Sequence, residues 1–163
     1  VSAGQAQCSI STLALGANTI SAVYSGDNGN LASTSSTLNQ VVNPPTLDID
    51  ASNTLTKYDT ATDGVLIVRY LFGVTGNSLV TGALGGTATR TDPSLIKNHL
   101  DAIRPVLDVD GNGRADALTD GLLIVRHLLG LNGDALITGA VDLQSGTRTL
   151  ATDIHNYLLL LMP

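Results

Sequence analysis

The apolar residues of this chain follow two different periods along its length. In residues 1–43, apolar and polar side chains alternate, which is the pattern of half-buried β-strands. The alternating apolar positions are Ala6, Cys8 and Ile10, then Ile20, Ala22 and Tyr24, then Leu38 and Val42. Runs rich in Gly and Asn separate these stretches. The pattern therefore predicts three short antiparallel strands, with the Cys8 thiol buried.

From residue 47 onward the apolar residues recur at the spacing of an amphipathic helix, and they do so twice. Residues 59–83 align with residues 116–140 without a gap, and 15 of these 25 positions are identical. A Thr-Arg-Thr sequence follows in both copies, at 89–91 and at 147–149. Self-similarity of this kind indicates a duplicated structural unit.

Each copy predicts two helices. The apolar stripe of the first helix comprises Val65, Leu66, Val68, Leu71 and Phe72 in one copy and Leu122, Leu123, Val125, Leu128 and Leu129 in the other. Gly73 and Gly130 stand where a left-handed residue would end that helix. Asp92, or Thr91 before it, would cap the second helix, and Pro93 fits its first turn. We therefore expect about four helices packed on one core.

The two periods divide the chain into domains. We expect a β segment at 1–43, a stiff Pro-containing linker at 44–46, and a helical domain at 47–163. The helical domain consists of repeat 1 (47–106) and repeat 2 (107–163). The expected fold class is mixed: a short antiparallel β segment followed by an all-α duplicated domain. Because three strands cannot bury their apolar face alone, either the helices cover that face or further strands precede it.

Composition narrows the class of protein. The chain has 163 residues, a formal net charge of −6 and no cluster of Lys and Arg, which argues against nucleic-acid binding. The longest apolar run, residues 157–162, is far too short to span a bilayer. No signal peptide follows Val1, so we expect a mature product or a fragment. The single cysteine, Cys8, excludes an internal disulfide and a Cys-based zinc site, leaving a buried thiol or a pairing with an upstream cysteine.

All 14 acidic residues are Asp, and they concentrate in two loops. The loop from Asp108 to Asp120 predicts a calcium site, because oxygen ligands at alternate positions can surround one ion. The predicted ligands are the side chains of Asp108, Asp110, Asn112 and Asp120, the backbone carbonyl of Arg114, and Asp116 directly or through water. Asp120 is the thirteenth position of this loop, whereas the usual loop closes at its twelfth. We therefore place one additional residue between Gly113 and Asp120.

The loop that opens repeat 1 predicts a second calcium ion, bound more weakly. Its predicted ligands are Asp48, Asp50, Ser52, Asp59 and Asp63. Ser52 is a weaker ligand than its counterpart Asn112. Asn53 replaces Gly113 because Asn tolerates a left-handed backbone. Further residues around 54–57 lengthen this loop.

Two parts of the chain resemble known families. At 48–73 and 108–130, an Asp-rich loop runs into a Leu-Ile-Val-Arg helix that ends in Leu-x-Gly, and this arrangement resembles the tandem repeats of dockerins. That resemblance implies EF-hand-related calcium sites on the loop residues named above, and a cohesin as the protein partner. The sequence Val-Tyr-Ser-Gly-Asp at 23–27 resembles the last strands of a bacterial Ig-like repeat. Residues 1–43 would then be roughly half of such a domain.

We expect a non-catalytic protein, because the sequence shows no Ser-His-Asp pattern in a plausible context, no phosphate-binding loop and no Glu. Calcium would fold and rigidify the C-terminal part of a secreted or cell-surface bacterial protein. Three functions stay open: a structural module, an adaptor for a cohesin-like partner, or an accessory tail of a secreted enzyme. The dockerin resemblance places partner choice at Leu118 and Thr119 and at their counterparts in repeat 1, Ala61 and Thr62. The incomplete β segment would pair with neighbouring Ig-like repeats or with a second copy of the chain.

Overall fold

The computed structural model describes residues 8–10, 13–14, 16–42, 45–53 and 57–163. Within these ranges the chain has four β-strands and six α-helices. Internal contacts divide the chain into two compact units, unit 1 (Val1–Pro44) and unit 2 (Pro45–Pro163). The strands belong to unit 1 and the helices to unit 2.

Unit 1 is built on one interrupted hairpin. Its strands are β1 (Gly16–Ile20), β2 (Val23–Tyr24), β3 (Ser33–Thr34) and β4 (Leu38–Val42). β1 pairs with β4 and β2 pairs with β3, both antiparallel, giving two two-stranded sheets. The register changes by one residue between the pairs Ile20↔Leu38 and Val23↔Thr34, which places a one-residue bulge between β3 and β4.

The predicted fold class, a partial Ig-like sandwich followed by an all-helical module of about four helices, is wrong. The chain is mixed α/β, with two small two-stranded sheets and six helices over the described ranges. Alternating side chains identify strand positions but not strand partners. On the predicted apolar face, Ile20, Tyr24 and Leu38 remain 37–61 % exposed.

The first predicted strand is not supported either. It falls on residues 5–10, of which 8–10 are not in a strand and the rest lie outside the described residues. Cys8, which the alternation predicts as buried, is exposed. A period-two pattern over six residues is too short to distinguish a strand from an irregular segment.

Unit 2 contains three helices from each repeat. They are α1 (Val65–Leu71), α2 (Asn77–Val80) and α3 (Pro93–Ile103), then α4 (Leu122–Leu128), α5 (Asp134–Ile137) and α6 (Ala151–Leu160). A π-helical turn precedes α1 (Thr60–Gly64) and α4 (Ala117–Gly121), and a 3-10 turn (Arg104–Leu107) follows α3. The sequence missed α2 and α5 because four residues are too few to show a helical period. None of the helices in the described ranges has the length and apolarity that crossing a membrane requires.

The predicted helix boundaries hold where a cap specifies them. The Asp92 side chain accepts hydrogen bonds from two backbone amides at the start of α3, and Pro93 occupies the first position. Gly73 and Gly130, directly after the first helix of each repeat, have φ of 80° and 79°. These left-handed residues end both helices as predicted.

One hydrophobic core runs through unit 2, with residues from both repeats fully buried, among them Leu66, Ile67, Leu100, Leu123, Ile124 and Leu158. The two π-helical turns pack against the opposite first helix. A Cβ on Gly64 would lie 3.4 Å from the Val125 side chain, and one on Gly121 would lie 3.3 Å from Val68. The repeats therefore share one core rather than two.

An arginine on each first helix holds the short helix that follows. Arg126 donates hydrogen bonds from Nη1 to the carbonyl oxygens of Leu136 (3.0 Å) and Thr138 (2.9 Å). Arg69 makes the same pair of bonds in repeat 1. Both guanidinium groups satisfy backbone carbonyls at a helix end, where the helix itself leaves them unpaired.

The first and last segments of unit 2 contact each other. The amide of Leu47 donates to the carbonyl of Leu161 at 2.9 Å. Lys57 Nζ and the Tyr58 hydroxyl both donate to the Pro163 carbonyl, each at 2.7 Å. The first and last segments of the duplicated unit are therefore directly joined.

Candidate metal centres

Two groups of three aspartates converge in unit 2, one group in each repeat. Triad 1 comprises Asp48, Asp50 and Asp63, and triad 2 comprises Asp108, Asp110 and Asp120. Within each triad, one carboxylate oxygen of every residue lies within 4.8 Å of the others. Four of the six side chains, Asp50, Asp63, Asp110 and Asp120, are completely buried.

Backbone hydrogen bonds shape the loop that carries triad 2. The amide of Asn112 donates to Asp108 Oδ1 (3.0 Å) and Asp110 Oδ1 (3.1 Å), and the amide of Gly113 donates to Asp108 Oδ2 (2.9 Å). Asn112 Oδ1 in turn accepts from the Arg114 amide at 2.8 Å. Each side chain therefore folds back over the residues that follow it, which turns the carboxylates toward one point.

The closing aspartate lies in the π-helical turn before α4. Asp120 Oδ1 accepts from the amides of Val109 (2.7 Å) and Asp110 (3.2 Å). Its Oδ2 accepts from the Asp116 amide (2.8 Å). The wide turn, closed by the Gly121 amide on the Asp116 carbonyl, accommodates one more residue than an α-helical turn would. The thirteenth position thereby reaches the site.

The loop of repeat 1 repeats this arrangement. Asp63 Oδ1 accepts from the Ile49 amide at 2.6 Å, and its Oδ2 accepts from the Asp59 amide at 3.0 Å. The Ser52 amide donates to both Asp48 and Asp50 at 3.0 Å. The Ser52 hydroxyl also donates to Asp50. The predicted lengthening of this loop lies outside the described residues, apart from Lys57.

Five predicted ligands are not triad residues: Ser52 and Asn112, described above, and Asp59, Asp116 and Arg114. The Asp59 carboxylate caps the π-helical turn by accepting from the Ala61 amide at 2.7 Å. Asp116 Oδ2 lies 3.4 Å from the Arg114 guanidinium. The Arg114 side chain is exposed, and the amide of that residue is bonded to Asn112.

The left-handed residue of loop 1 is not the predicted one. Among described residues other than glycine, positive φ occurs at Ala51 (53°) and Tyr58 (129°), and not at Asn53. Ala51 aligns with Gly111, whose φ is 72°. Gly113 itself has φ of 89°, so the left-handed residue predicted at this position occurs in repeat 2 and not at Asn53 in repeat 1.

Burial sets the electrostatics of both triads. It raises the pKa of Asp63 to about 6, against the hydrogen bonds from Ile49 and Asp59 that lower it. Burial also raises the pKa of Asp48 and Asp120. The ion pairs of the described chain are Lys97–Asp101 and Arg114–Asp116, and neither involves a triad. The triad carboxylates thus form concentrated negative charge without a cationic side chain paired to them.

The donor set fits a hard divalent cation. The side chains placed at the two centres offer oxygen: the six carboxylates and, in repeat 1, the Ser52 hydroxyl, which donates to Asp50. Oxygen ligands are those that hard divalent cations such as Ca²⁺ and Mg²⁺ take.

Further residues that contact each loop were not among the predicted site residues. The amide of Gly85 donates to Asp50 Oδ2 at 2.7 Å, and the amide of Asp142 donates to Asp110 Oδ2 at 2.8 Å. Arg90 and Arg148 bond the carbonyls of loops 1 and 2. The available signal was the Thr-Arg-Thr sequence that both repeats keep after their first helix.

Comparison of the chain with models of protein families, with curated proteins and with solved structures gave no match.

Proposed function

We propose that unit 2 is a non-catalytic calcium-binding module that holds two Ca²⁺ ions, one in each triad. The observation that carries the proposal is the convergence of three mostly buried carboxylates in each repeat, without an ion pair to any of them. Buried charge without a partner is strongly unfavourable. A divalent cation offsets this cost, whereas the metal-free protein must protonate a carboxylate instead.

Calcium would act by joining two parts of the chain. In repeat 2, Asp108 and Asp110 lie at the start of the loop and Asp120 lies in the turn that opens α4. An ion between them ties the loop to the helix that packs in the shared core. Binding to the folded state adds about 2.7 kcal/mol of stability when calcium is at 100 times Kd.

The proposed setting is the secreted or cell-surface part of a bacterial protein, where millimolar calcium saturates even weak sites. The first role is structural, to rigidify this part of the chain. The accessory tail of a secreted enzyme would use the same property, and strand edges of unit 1 would allow pairing with neighbouring repeats or a second copy.

A dockerin-type adaptor is the second candidate function, and one surface favours it. An open groove of about 330 Å³ is lined by Leu71, Phe72 and residues 116–119. Phe72 is 60 % exposed and Leu118 is 70 % exposed. Apolar side chains of this size at a groove are typical of protein–protein contacts, and the dockerin resemblance assigns partner choice to Leu118 and Thr119.

Calorimetric titration of the calcium-depleted chain with CaCl₂, followed in parallel by circular dichroism, tests the proposal. We expect two binding events with a gain in thermal stability. Asp63→Asn should weaken one event and Asp120→Asn the other by at least about tenfold, because each removes a ligand charge. Asp153→Asn, on exposed Asp153 of α6, is the matched control and should change neither. Absence of binding at millimolar calcium would overturn the proposal.

A further inference from the structure

Two consecutive residues of each repeat cross the backbone of the metal loop. We call them the Thr-Arg pair: Thr89–Arg90 in repeat 1 and Thr147–Arg148 in repeat 2. In repeat 2 the pair reaches four successive carbonyls of the loop, those of residues 108–111. Arg148 donates from Nη2 to Asp108, from Nε to Val109 at 2.6 Å and from its amide to Asp110 at 2.8 Å, and Thr147 Oγ1 donates to Gly111 at 3.2 Å.

Repeat 1 has the same four contacts. Arg90 Nη1 donates to the carbonyls of Asp48 (3.3 Å) and Ile49, and its amide donates to that of Asp50 at 2.8 Å. Thr89 Oγ1 donates to the carbonyl of Ala51 at 2.9 Å. The contacts are kept although the two loops differ in sequence and length. The Thr-Arg pair therefore contacts the backbone at the same four positions of each loop.

The arginine bonds carbonyls and leaves the carboxylates alone. An arginine beside three aspartates would ordinarily form a bidentate ion pair, which is its strongest contact. In the described chain neither Arg90 nor Arg148 pairs with a triad carboxylate. Its donors are used on the loop carbonyls, so the carboxylate oxygens stay available to one another.

The segment before the Thr-Arg pair fixes one ligand directly. The Asp142 amide holds Asp110 Oδ2 at 2.8 Å, and the Gly85 amide holds Asp50 Oδ2 at 2.7 Å. In repeat 2 the guanidinium of Arg148 lies 4.0 Å from the ring centre of Tyr157, on α6. The arginine is therefore held between the loop and a helix that packs in the core.

We propose that Arg90 and Arg148 are positioning residues that set the calcium affinity of their own loop without touching the ion. Each holds three loop carbonyls away from the site, while the neighbouring threonine holds a fourth, and together they keep the loop in its ligand-bearing shape before calcium arrives. This inference rests on the proposed function. Lysine cannot replace them fully, because a single ammonium lacks the planar fork of donors that reaches two carbonyls at once.

The test measures loop 2 alone, in the full chain carrying Asp63→Asn to remove the loop 1 event. Calcium is titrated calorimetrically into this chain with Arg148, with Arg148→Met and with Arg148→Lys. We expect Arg148→Met to weaken binding by about 10–100-fold, the usual effect of losing a group that orients metal ligands. Arg148→Lys should give an intermediate Kd.

Arg126→Met is the matched control. Arg126 also bonds two carbonyls through its guanidinium, but at the end of α5 and away from both loops. The Arg126→Met substitution should lower the melting temperature about as much as Arg148→Met does, while leaving the Kd of loop 2 for calcium unchanged. Equal weakening by Arg126→Met would overturn the inference, because Arg148 would then act only through overall stability.

An unchanged Kd in Arg148→Met, with helix content at saturating calcium equal to that of the parent, would also overturn it and leave the proposed function intact. If Arg148→Met does not fold, Arg148→Lys decides: a Kd weaker by about tenfold supports the inference, and an unchanged Kd overturns it. If the parent chain binds no calcium, the proposed function fails first and the inference with it.

Discussion

Repeat 1 and repeat 2 build one loop shape from different residues. The first left-handed position of the loop is Gly111 in repeat 2 and Ala51 in repeat 1, and Gly113 adds a second one in repeat 2. A Cβ on Gly111 would lie only 2.1 Å from Thr147 Oγ1, so repeat 2 brings the Thr-Arg pair closer than alanine would permit. Repeat 1 accommodates the methyl group in a backbone conformation that costs about 1–2 kcal/mol. The shape of the loop thus follows its contacts with the Thr-Arg pair, and the residue at the turn decides how strained that shape is.

The two arginines also have different neighbours. Arg148 stacks on Tyr157. The counterpart of Tyr157 in repeat 1 is His99, and burial together with the charge of Arg90 lowers the pKa of that histidine. Repeat 2 therefore supports its arginine with an aromatic face, whereas repeat 1 places it near a ring that must stay uncharged. With Ser52 in place of Asn112 as well, we expect repeat 2 to hold the tighter calcium site.

The Gly111→Ala substitution should reduce the expected difference in calcium affinity between the two repeats more than any other change. The added methyl group meets Thr147 at a turn with φ of 72°, so we expect a loss of about 2–4 kcal/mol in the free energy of unfolding. Loop 2 should lose its advantage in calcium affinity. Chemical denaturation and calorimetry measure the two effects.

The Gly130→Ala substitution separates the backbone strain of a left-handed alanine from the steric clash that the added methyl group would have with Thr147. Gly130 has φ of 79°, but a Cβ there would meet nothing within 4 Å. It should cost about 1–2 kcal/mol, the strain alone, and leave calcium binding unaffected. An equal loss in both variants would mean that the close approach of Thr147 is unimportant.

The next largest expected effect is the pH dependence of calcium binding at loop 1. The folded pKa of Asp63, about 6, is higher than its ordinary value of 3.8, so the metal-free fold gains stability from the bound proton at low pH. That contribution is full below the ordinary value and is lost as the pH rises through 6. Calcium requires the ionised carboxylate, so loop 1 should bind about tenfold more weakly at pH 5 than at pH 7. Calorimetry at the two pH values measures this difference, and identical affinities would contradict it.

The smallest expected effect is the reverse substitution in repeat 1. Ala51→Gly relieves the left-handed strain but increases the flexibility of the unfolded chain. We expect a net gain of about 0.5 kcal/mol in the free energy of unfolding and slightly tighter calcium binding at loop 1. Thermal unfolding with and without calcium measures the gain. A loss of stability would show that Ala51 is unstrained.

The helices that carry the candidate sites follow from local signals in the sequence. Asp92 with Pro93, and the glycines at 73 and 130, specify their helix ends through contacts and backbone conformations within a few residues. Duplication strengthened the prediction because each aspartate loop could be compared with its counterpart. The six triad residues were all among the predicted ligands, since alternate oxygen donors before a helix are a local pattern.

The features that were not predicted depend on contacts between residues far apart in the chain. Arg148 bonds carbonyls 39–40 residues before it, and no periodicity indicates such a target. The pairing of the strands in unit 1 was not predicted for the same reason, because alternation does not name a partner. The left-handed turn of loop 1 was placed at Asn53 because Asn53 aligns with Gly113, whereas the left-handed residue is Ala51.

The contact between the first and last segments of unit 2 has a topological consequence. Because Leu47 pairs with Leu161 and Pro163 accepts from Lys57 and Tyr58, a short peptide could connect these two segments covalently. Unit 2, expressed without unit 1, could then be opened between the repeats to give a circular permutant that begins with repeat 2. In such a permutant each aspartate loop would keep its own helix and its own arginine, so the order of the two repeats in the gene would be interchangeable.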